Sequence, residues 1–274
     1  SDYGTHMLRS ASVDGSDQQV LLSGLKYPLG LDIDLNAGHI YCAEYDGGRI
    51  IRCNLDGSGV TTLLTGLDHP YDVALNPAAG QMYWTERFNG KIFKAQLNGS
   101  GKEQVLADLV SPDEVHVDPV GGHLYWQQSP GGLFNSGIFR SQLDGSAKTM
   151  ILNNFSEGFS IDRPRNRILW ISFAQKTLFQ CNLNGSNQLN LFKNNEGMDL
   201  PGTFTGDWSK GKVYWLDYLL DHYIYQANTD GSSRKPVATK QIYYPTSFAV
   251  DSATNEIYWV NGQSSYQKDS AGAV

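Results

Sequence analysis

Apolar and polar positions alternate along six stretches of the chain in a fixed phase. Counted from Pro28, Pro70, Pro112, Ser156, Pro201 and Pro245, the residues three and five places on are Leu31/Ile33, Val73/Leu75, Val115/Val117, Phe159/Ile161, Phe204/Gly206 and Phe248/Val250. An apolar residue at every second place marks a strand with one face in a core. The places two and four on hold Gly30/Asp32, Asp72/Ala74, Glu114/His116, Gly158/Ser160, Thr203/Thr205 and Ser247/Ala249, mostly small or weakly polar. Proline can open a strand but cannot sit inside a ladder, and five of the six stretches open with one. Nothing between them has helical periodicity.

Two further markers keep step with these strands. An acid or amide precedes an aromatic dipeptide by seven residues each time: Asp34 and Tyr41-Cys42, Asn76 and Tyr83-Trp84, Asp118 and Tyr125-Trp126, Asp162 and Leu169-Trp170, Asp207 and Tyr214-Trp215, Asp251 and Tyr258-Trp259. Asp-Gly or Asn-Gly, followed by Ser, recurs at Gly15, Gly57, Gly99, Gly145, Gly185 and Gly231. Such dipeptides predict hairpins with type I′ turns, in which both central residues take positive φ. Units of about 43 residues with four short strands have the size of a propeller blade. The hairpin at Gly15 lacks a preceding Tyr-Trp, and Tyr258-Trp259 lacks a following hairpin, so residues 8–22 and 246–261 are expected to share one blade. The expected fold is all-β: a six-bladed β-propeller over residues 8–261, four antiparallel strands per blade, closed by the N-terminal strands. Residues 1–7 read as a tag-like start, and 262–274 as a tail.

The segments Met82-Tyr83-Trp84-Thr85-Glu86 and Val213-Tyr214-Trp215-Leu216-Asp217, with Ile92 to Gly99 downstream, resemble the YWTD repeats of low-density-lipoprotein-receptor propellers. The resemblance covers nearly all of residues 8–261. It departs at Cys42, where tryptophan is expected, and in the acid of the motif, kept only at Glu44, Glu86 and Asp217. The cysteine-rich modules that usually flank such propellers are absent from this sequence. The resemblance therefore implies the fold more firmly than a receptor role.

Charge narrows the function. With 21 basic and 28 acidic residues the net charge is −7, which disfavours nucleic acid and anionic membrane surfaces. No apolar run approaches the roughly 18 residues that span a bilayer. Cys42, Cys53 and Cys181 cannot all pair, so reduced thiols and a cytoplasmic monomer are expected, or secretion if a leader precedes Met7 in the full gene. His39, His69, His123 and His222 lack metal-ligand spacing, so no metal or other cofactor is expected.

The alternation places candidate chemistry on the axis. Asp32, Asp72, Glu114 and His116 break the rule of small axial residues, and all four fall in the first three blades. Crowded carboxyls in a partly dry funnel raise one another's pKa and can act as general acids; the alternative is that they cap backbone amides or hold channel water. Around the funnel mouth, Tyr71, Phe88, Phe134, Glu157, Phe173, Tyr218, Tyr223, Tyr243 and Tyr244 are candidate contacts for a small apolar or mixed-polarity ligand, or else rings that order the loops by packing together. Two functions follow. One is a cofactor-independent enzyme performing acid-assisted dehydration and enclosing a reactive intermediate. As a single propeller of this length the chain is also similar to the fungal hetero-Diels–Alderases of tropolonic sesquiterpene pathways, a similarity that implies cycloaddition and assigns no residue. The other function is a recognition module for a protein or glycan.

Overall fold

Where proline opens a unit, the strand begins at it: Pro28–Asp34, Pro70–Asn76, Pro112–Asp118, Pro201–Asp207 and Pro245–Asp251, with Phe159–Asp162 in the unit without proline. The structure is a computed structural model and describes residues 6–128, 136–155, 158–172, 175–191, 201–217, 223–238 and 245–261. Its described residues form six four-stranded antiparallel sheets, with only two short 3-10 turns at Pro77–Ala79 and Arg163–Arg165. Each inner strand touches the inner strand of the next unit, and the last touches the first, so the sheets stand in a closed ring of six blades. The closing blade takes Gln19–Leu22 and Met7–Ser12 from one end of the chain and Glu256–Asn261 and Pro245–Asp251 from the other, with Met7 opposite Asn261 and Ser12 opposite Glu256. Both ends are thereby tied into one ladder, and no sheet edge is left open between them. The tail from residue 262 lies outside the described residues.

The core is a set of layers between neighbouring blades. Leu31, Val73, Val115, Phe159, Phe204 and Phe248, all three places into their strands, are buried. Tyr41, Ala43 and Ile50 of blade 1, for example, pack on Val73, Met82 and Trp84 of blade 2. Trp84, Trp126, Trp170 and Trp215 stack on aromatic rings of the next strand in the same blade, as Trp84 does on Phe93 with centroids 5.6 Å apart and planes at 17°. Cys42 replaces one of them and lies with Cys53, both unpaired and buried, in an apolar cluster with Leu31 and Ile51.

The hairpin turns fall where expected but are of another type. Only the glycine takes positive φ, between 82° and 87°. Gly15 N donates to Ser12 O at 2.8 Å and Ser12 N to Ser16 O at 2.9 Å, a three-residue loop that ends in a left-handed glycine. The preceding acid or amide serves through its side chain: Asp14 Oδ1 accepts Ser16 N, and Asp56 and Asn98 do the same for Ser58 and Ser100. Four of these glycines also press on the outer strand of the preceding blade. A Cβ at Gly99 would strike the Leu63 carbonyl, whereas Gly66, with φ 67°, has open space around it. Gly99→Ala is therefore expected to cost about 2 kcal/mol or more, and Gly66→Ala only about 1 kcal/mol of backbone strain. Equal urea midpoints for the two variants would count against this close approach.

Candidate functional site

A strand advances about 3.3 Å per residue, so residues equally far from the strand start form a layer around the axis. The first layer holds Leu29, Tyr71, Asp113 and Thr246; the second Asp72, Glu114, Gly158, Thr203 and Ser247; the fourth Asp32, Ala74, His116, Ser160, Thr205 and Ala249. These residues line one axial cavity of about 370 Å³, together with Arg87 and Gln127 beside the first layer and Trp208 beyond the last. The structure thus brings Asp32, Asp72, Glu114 and His116 to one cavity. Tyr71 joins them in its wall. Phe88 does not line it: 68% exposed, it forms an aromatic stripe with Tyr45 and His69, and Tyr45 continues the stripe to Tyr27. Phe134, Glu157, Phe173, Tyr218, Tyr243 and Tyr244 lie outside the described residues, as does the side chain of Tyr223.

The axial acids clip one blade to the next. Asp32 Oδ2 of blade 1 accepts Leu75 N of blade 2 at 2.8 Å, Asp72 Oδ2 accepts Val115 N of blade 3 at 2.9 Å, and Glu114 Oε2 accepts Phe159 N of blade 4 at 2.9 Å. Ser247 Oγ continues the series by accepting Leu31 N across the closing seam. Backbone capping, the alternative reading of these side chains, is what the geometry contains. At the far end of the strands cations serve the two remaining seams, Arg165 donating to Trp208 O and Lys210 to Ser252 O, while Arg163 pairs with Asp118 at 3.3 Å across the seam that Glu114 also clips. Two glycines make room for the acids. Gly30 has no side chain where the Asp72 carboxyl sits, and Gly158 lets Glu114 reach past blade 4, so that Thr203 Oγ1 donates to Glu114 Oε1 at 3.3 Å.

Capping does not hold these groups at ordinary carboxylate values. Enclosure outweighs the amide hydrogen bonds and raises Asp32 to about 6 and Asp72 to about 7. Glu114, with Asp72 as its neighbour in the same layer, rises to about 8. His116 moves the opposite way, to about 4, because the same enclosure penalises its cation. It is therefore a neutral imidazole near pH 7; one nitrogen bonds the Phe159 backbone, and Nε2 is buried with no hydrogen-bond partner among the described residues. Its ring meets Phe159 edge-on at 4.6 Å. Near neutrality the cavity combines carboxyl groups able to give a proton with an imidazole able to take one.

Sequence reasoning singled out none of Arg87, Thr203 and Trp208 as site residues. Arg87 directly follows its second strand, where other units have Tyr45, Ser129, Phe173 and Tyr218, so no periodic signal marked it. Thr203 looked like one of several small axial residues. Trp208 was hidden behind the anomaly at Gly206, the one glycine in the apolar phase: a Cβ there would fall inside the Trp208 indole, which takes the space of the missing side chain. Among the described residues no group of three or more His, Cys, Asp or Glu could hold a metal ion.

Residues 211–252, which include Tyr214-Trp215, match the family model described as low-density lipoprotein receptor repeat class B. The chain is a six-bladed propeller carrying the YWTD repeat. Solved structures agree on the architecture. A chain of the nidogen/laminin complex is 20% identical and superposes with a TM-score of 0.73 over 86% of the YWTD propeller and 94% of its own length. A gluconolactonase from Xanthomonas campestris (14% identity, TM-score 0.70, covering 95% and 98%) and a luciferin-regenerating enzyme (13%, 0.68, 92% and 95%) are also similar. At these identities the likeness shows the fold alone.

Proposed function

We propose that this YWTD propeller is a cofactor-independent enzyme that binds a small, largely apolar molecule in its axial cavity and protonates it there. The observation that carries this reading is the set of three carboxyl groups raised to about 6, 7 and 8 along one cavity wall. A proton donor works best with a pKa near the working pH, and Asp72 and Glu114 meet that condition. The reaction is acid-assisted loss of water. The carboxyl proton passes to a hydroxyl oxygen, the C–O bond breaks, water leaves, and the carboxylate recovers a proton from a second O–H of the substrate. Enclosure then holds the reactive product beside an alkene for a hetero-Diels–Alder closure, which moves no further proton and draws on proximity alone. His116 orients or relays. That two fold neighbours bear enzyme names supports an enzyme on this fold. The protein is taken to act as a cytoplasmic monomer without nucleic-acid or membrane partners.

The test has two steps. Native mass spectrometry of protein from its own source identifies the retained molecule, and turnover of that molecule is then measured in Glu114→Gln and Asp72→Asn. At least one variant is expected to lose about 100-fold or more in kcat with its circular dichroism unchanged. Full turnover in both ends the acid-catalysis reading. A recognition module is the second reading, favoured by the surface stripe of half-buried Tyr27 and Tyr45 with exposed His69 and Phe88. It is expected to bind through that stripe with no dependence on the axial acids.

A further inference from the structure

The axial cavity is charged unevenly along its length. Asp72, Glu114, Asp32 and neutral His116 occupy its inner layers, while Arg87 at the mouth is the only Lys or Arg among the described residues that line it. Arg87 is fixed from two sides. Its Nε lies 3.1 Å from Asp113 Oδ1, and its guanidinium carbon stands 5.3 Å from the centre of the Tyr71 ring. Asp113 and Tyr71 both belong to the first axial layer, one residue above Asp72 and Glu114. The ion pair is closest at Nε, and neither terminal nitrogen makes a hydrogen bond among the described residues, so the planar fork can serve a further acceptor. The side chain keeps 29% of its surface exposed even so.

We propose that the cavity takes a ligand bearing a single carboxylate, held by Arg87 at the mouth, with its uncharged remainder below among Asp72, Glu114 and Trp208. This rests on the cavity being a ligand site. The two oxygens of a carboxylate match the planar fork, which a lone carbonyl uses only in part. One negative charge is the limit, because Asp113 already offsets much of the Arg87 charge and a dianion would meet the carboxyl layer just beneath. A cationic end at the mouth is opposed by Arg87 itself. Anchored this way, the ligand presents its first few atoms beyond the carboxylate to Asp72 and Glu114, one strand residue deeper, and its apolar end to the indole. The place for a leaving hydroxyl is thus near the carboxylate rather than at the far end.

Benzoate and benzamide, nearly isosteric and different in charge, are suitable probes for calorimetric titration. Benzoate is expected to bind the wild-type protein at about pH 6 and to bind Arg87→Gln about tenfold more weakly or worse, with benzamide unchanged between the two. Arg87→Lys keeps the charge without the fork and should fall between them. Arg165→Gln, at the other end of the ring, should match wild type. If Arg87→Gln does not fold, Arg87→Lys carries the comparison, with a loss of several-fold for benzoate and none for benzamide. Equal benzoate affinity in wild type and the Arg87 variants overturns the proposal. So does benzamide binding without benzoate binding, or no binding of either probe to folded wild type. The readout needs no turnover, so it can fail while Glu114→Gln still abolishes activity, or hold when that variant is fully active.

Discussion

Raising the pH from about 5 to about 9 is expected to lower the melting temperature of this protein, and Glu114→Gln is expected to remove much of that loss. A carboxyl whose pKa is higher in the folded state than in the unfolded chain binds its proton more tightly when folded. The stability it contributes is complete below the unfolded value, near 4, and is lost as the pH rises through the folded value. Here those values are about 6 for Asp32, about 7 for Asp72 and about 8 for Glu114. The shift of Glu114 from 4.5 to about 8 corresponds to at most about 5 kcal/mol, less whatever solvation the cavity provides. The turn carboxylates Asp14, Asp56, Asp144 and Asp230 are shifted downward by their serine hydrogen bonds, so their effect has the opposite sign and falls below pH 4, whereas His116, lowered from 6.5 to about 4, opposes the trend up to about pH 6.5 as one group against three. Glutamine can still accept from Phe159 N and bond Thr203, so the variant isolates the charge. Thermal melts across the pH range should show Glu114→Gln more stable than wild type at the alkaline end, with a flatter profile. A wild-type profile that is flat or rises over this range, or a variant profile parallel to wild type, would show that the carboxyls are solvated and not held protonated by enclosure.

Trp208→Ala and Gly206→Val are each expected to destabilise the propeller, and together to compensate for one another. In other blades the position of Gly206 holds Ile33, Leu75, Val117, Ile161 or Val250, and the indole of Trp208 folds back to fill the gap. Truncating it leaves a hole beside buried Phe204 and Trp215, at a cost of about 3 kcal/mol. Valine at position 206 alone drives its Cβ into the indole, an overpacking of about 1–3 kcal/mol. The double variant restores the arrangement of the other five blades, with a coupling of about 2 kcal/mol or more between the sites. Additive losses in urea melts would show that the two positions do not share one space. The double variant should also open the floor of the axial cavity, because Trp208 lines it.

The Gly206 anomaly shows where reading the chain works and where it stops. Inner strands, aromatic dipeptides, hairpin positions and the shared blade all follow from periods that run for six copies, because a repeating geometry imposes a repeating choice of residue. The type of hairpin turn did not follow. Asp-Gly suits more than one turn, and the choice was settled by the serine two residues after the acid, whose amide needs the side-chain oxygen, and by contact with the neighbouring blade. Asp32, Asp72, Glu114 and His116 stood out because they broke a period. Arg87 broke none, since loops between the second and third strands follow no common pattern.

Local pattern was enough to specify strands, their inward and outward faces and the number of blades, since each depends on neighbours within a few residues and recurs. What the axial acids hold and how readily they ionise depends on groups more than forty residues away: the Leu75, Val115 and Phe159 amides, the gap at Gly158 and the mutual approach of Asp72 and Glu114. Those contacts exist only once the ring has closed, because enclosure of a charge is a property of the surrounding volume and not of the segment that carries it.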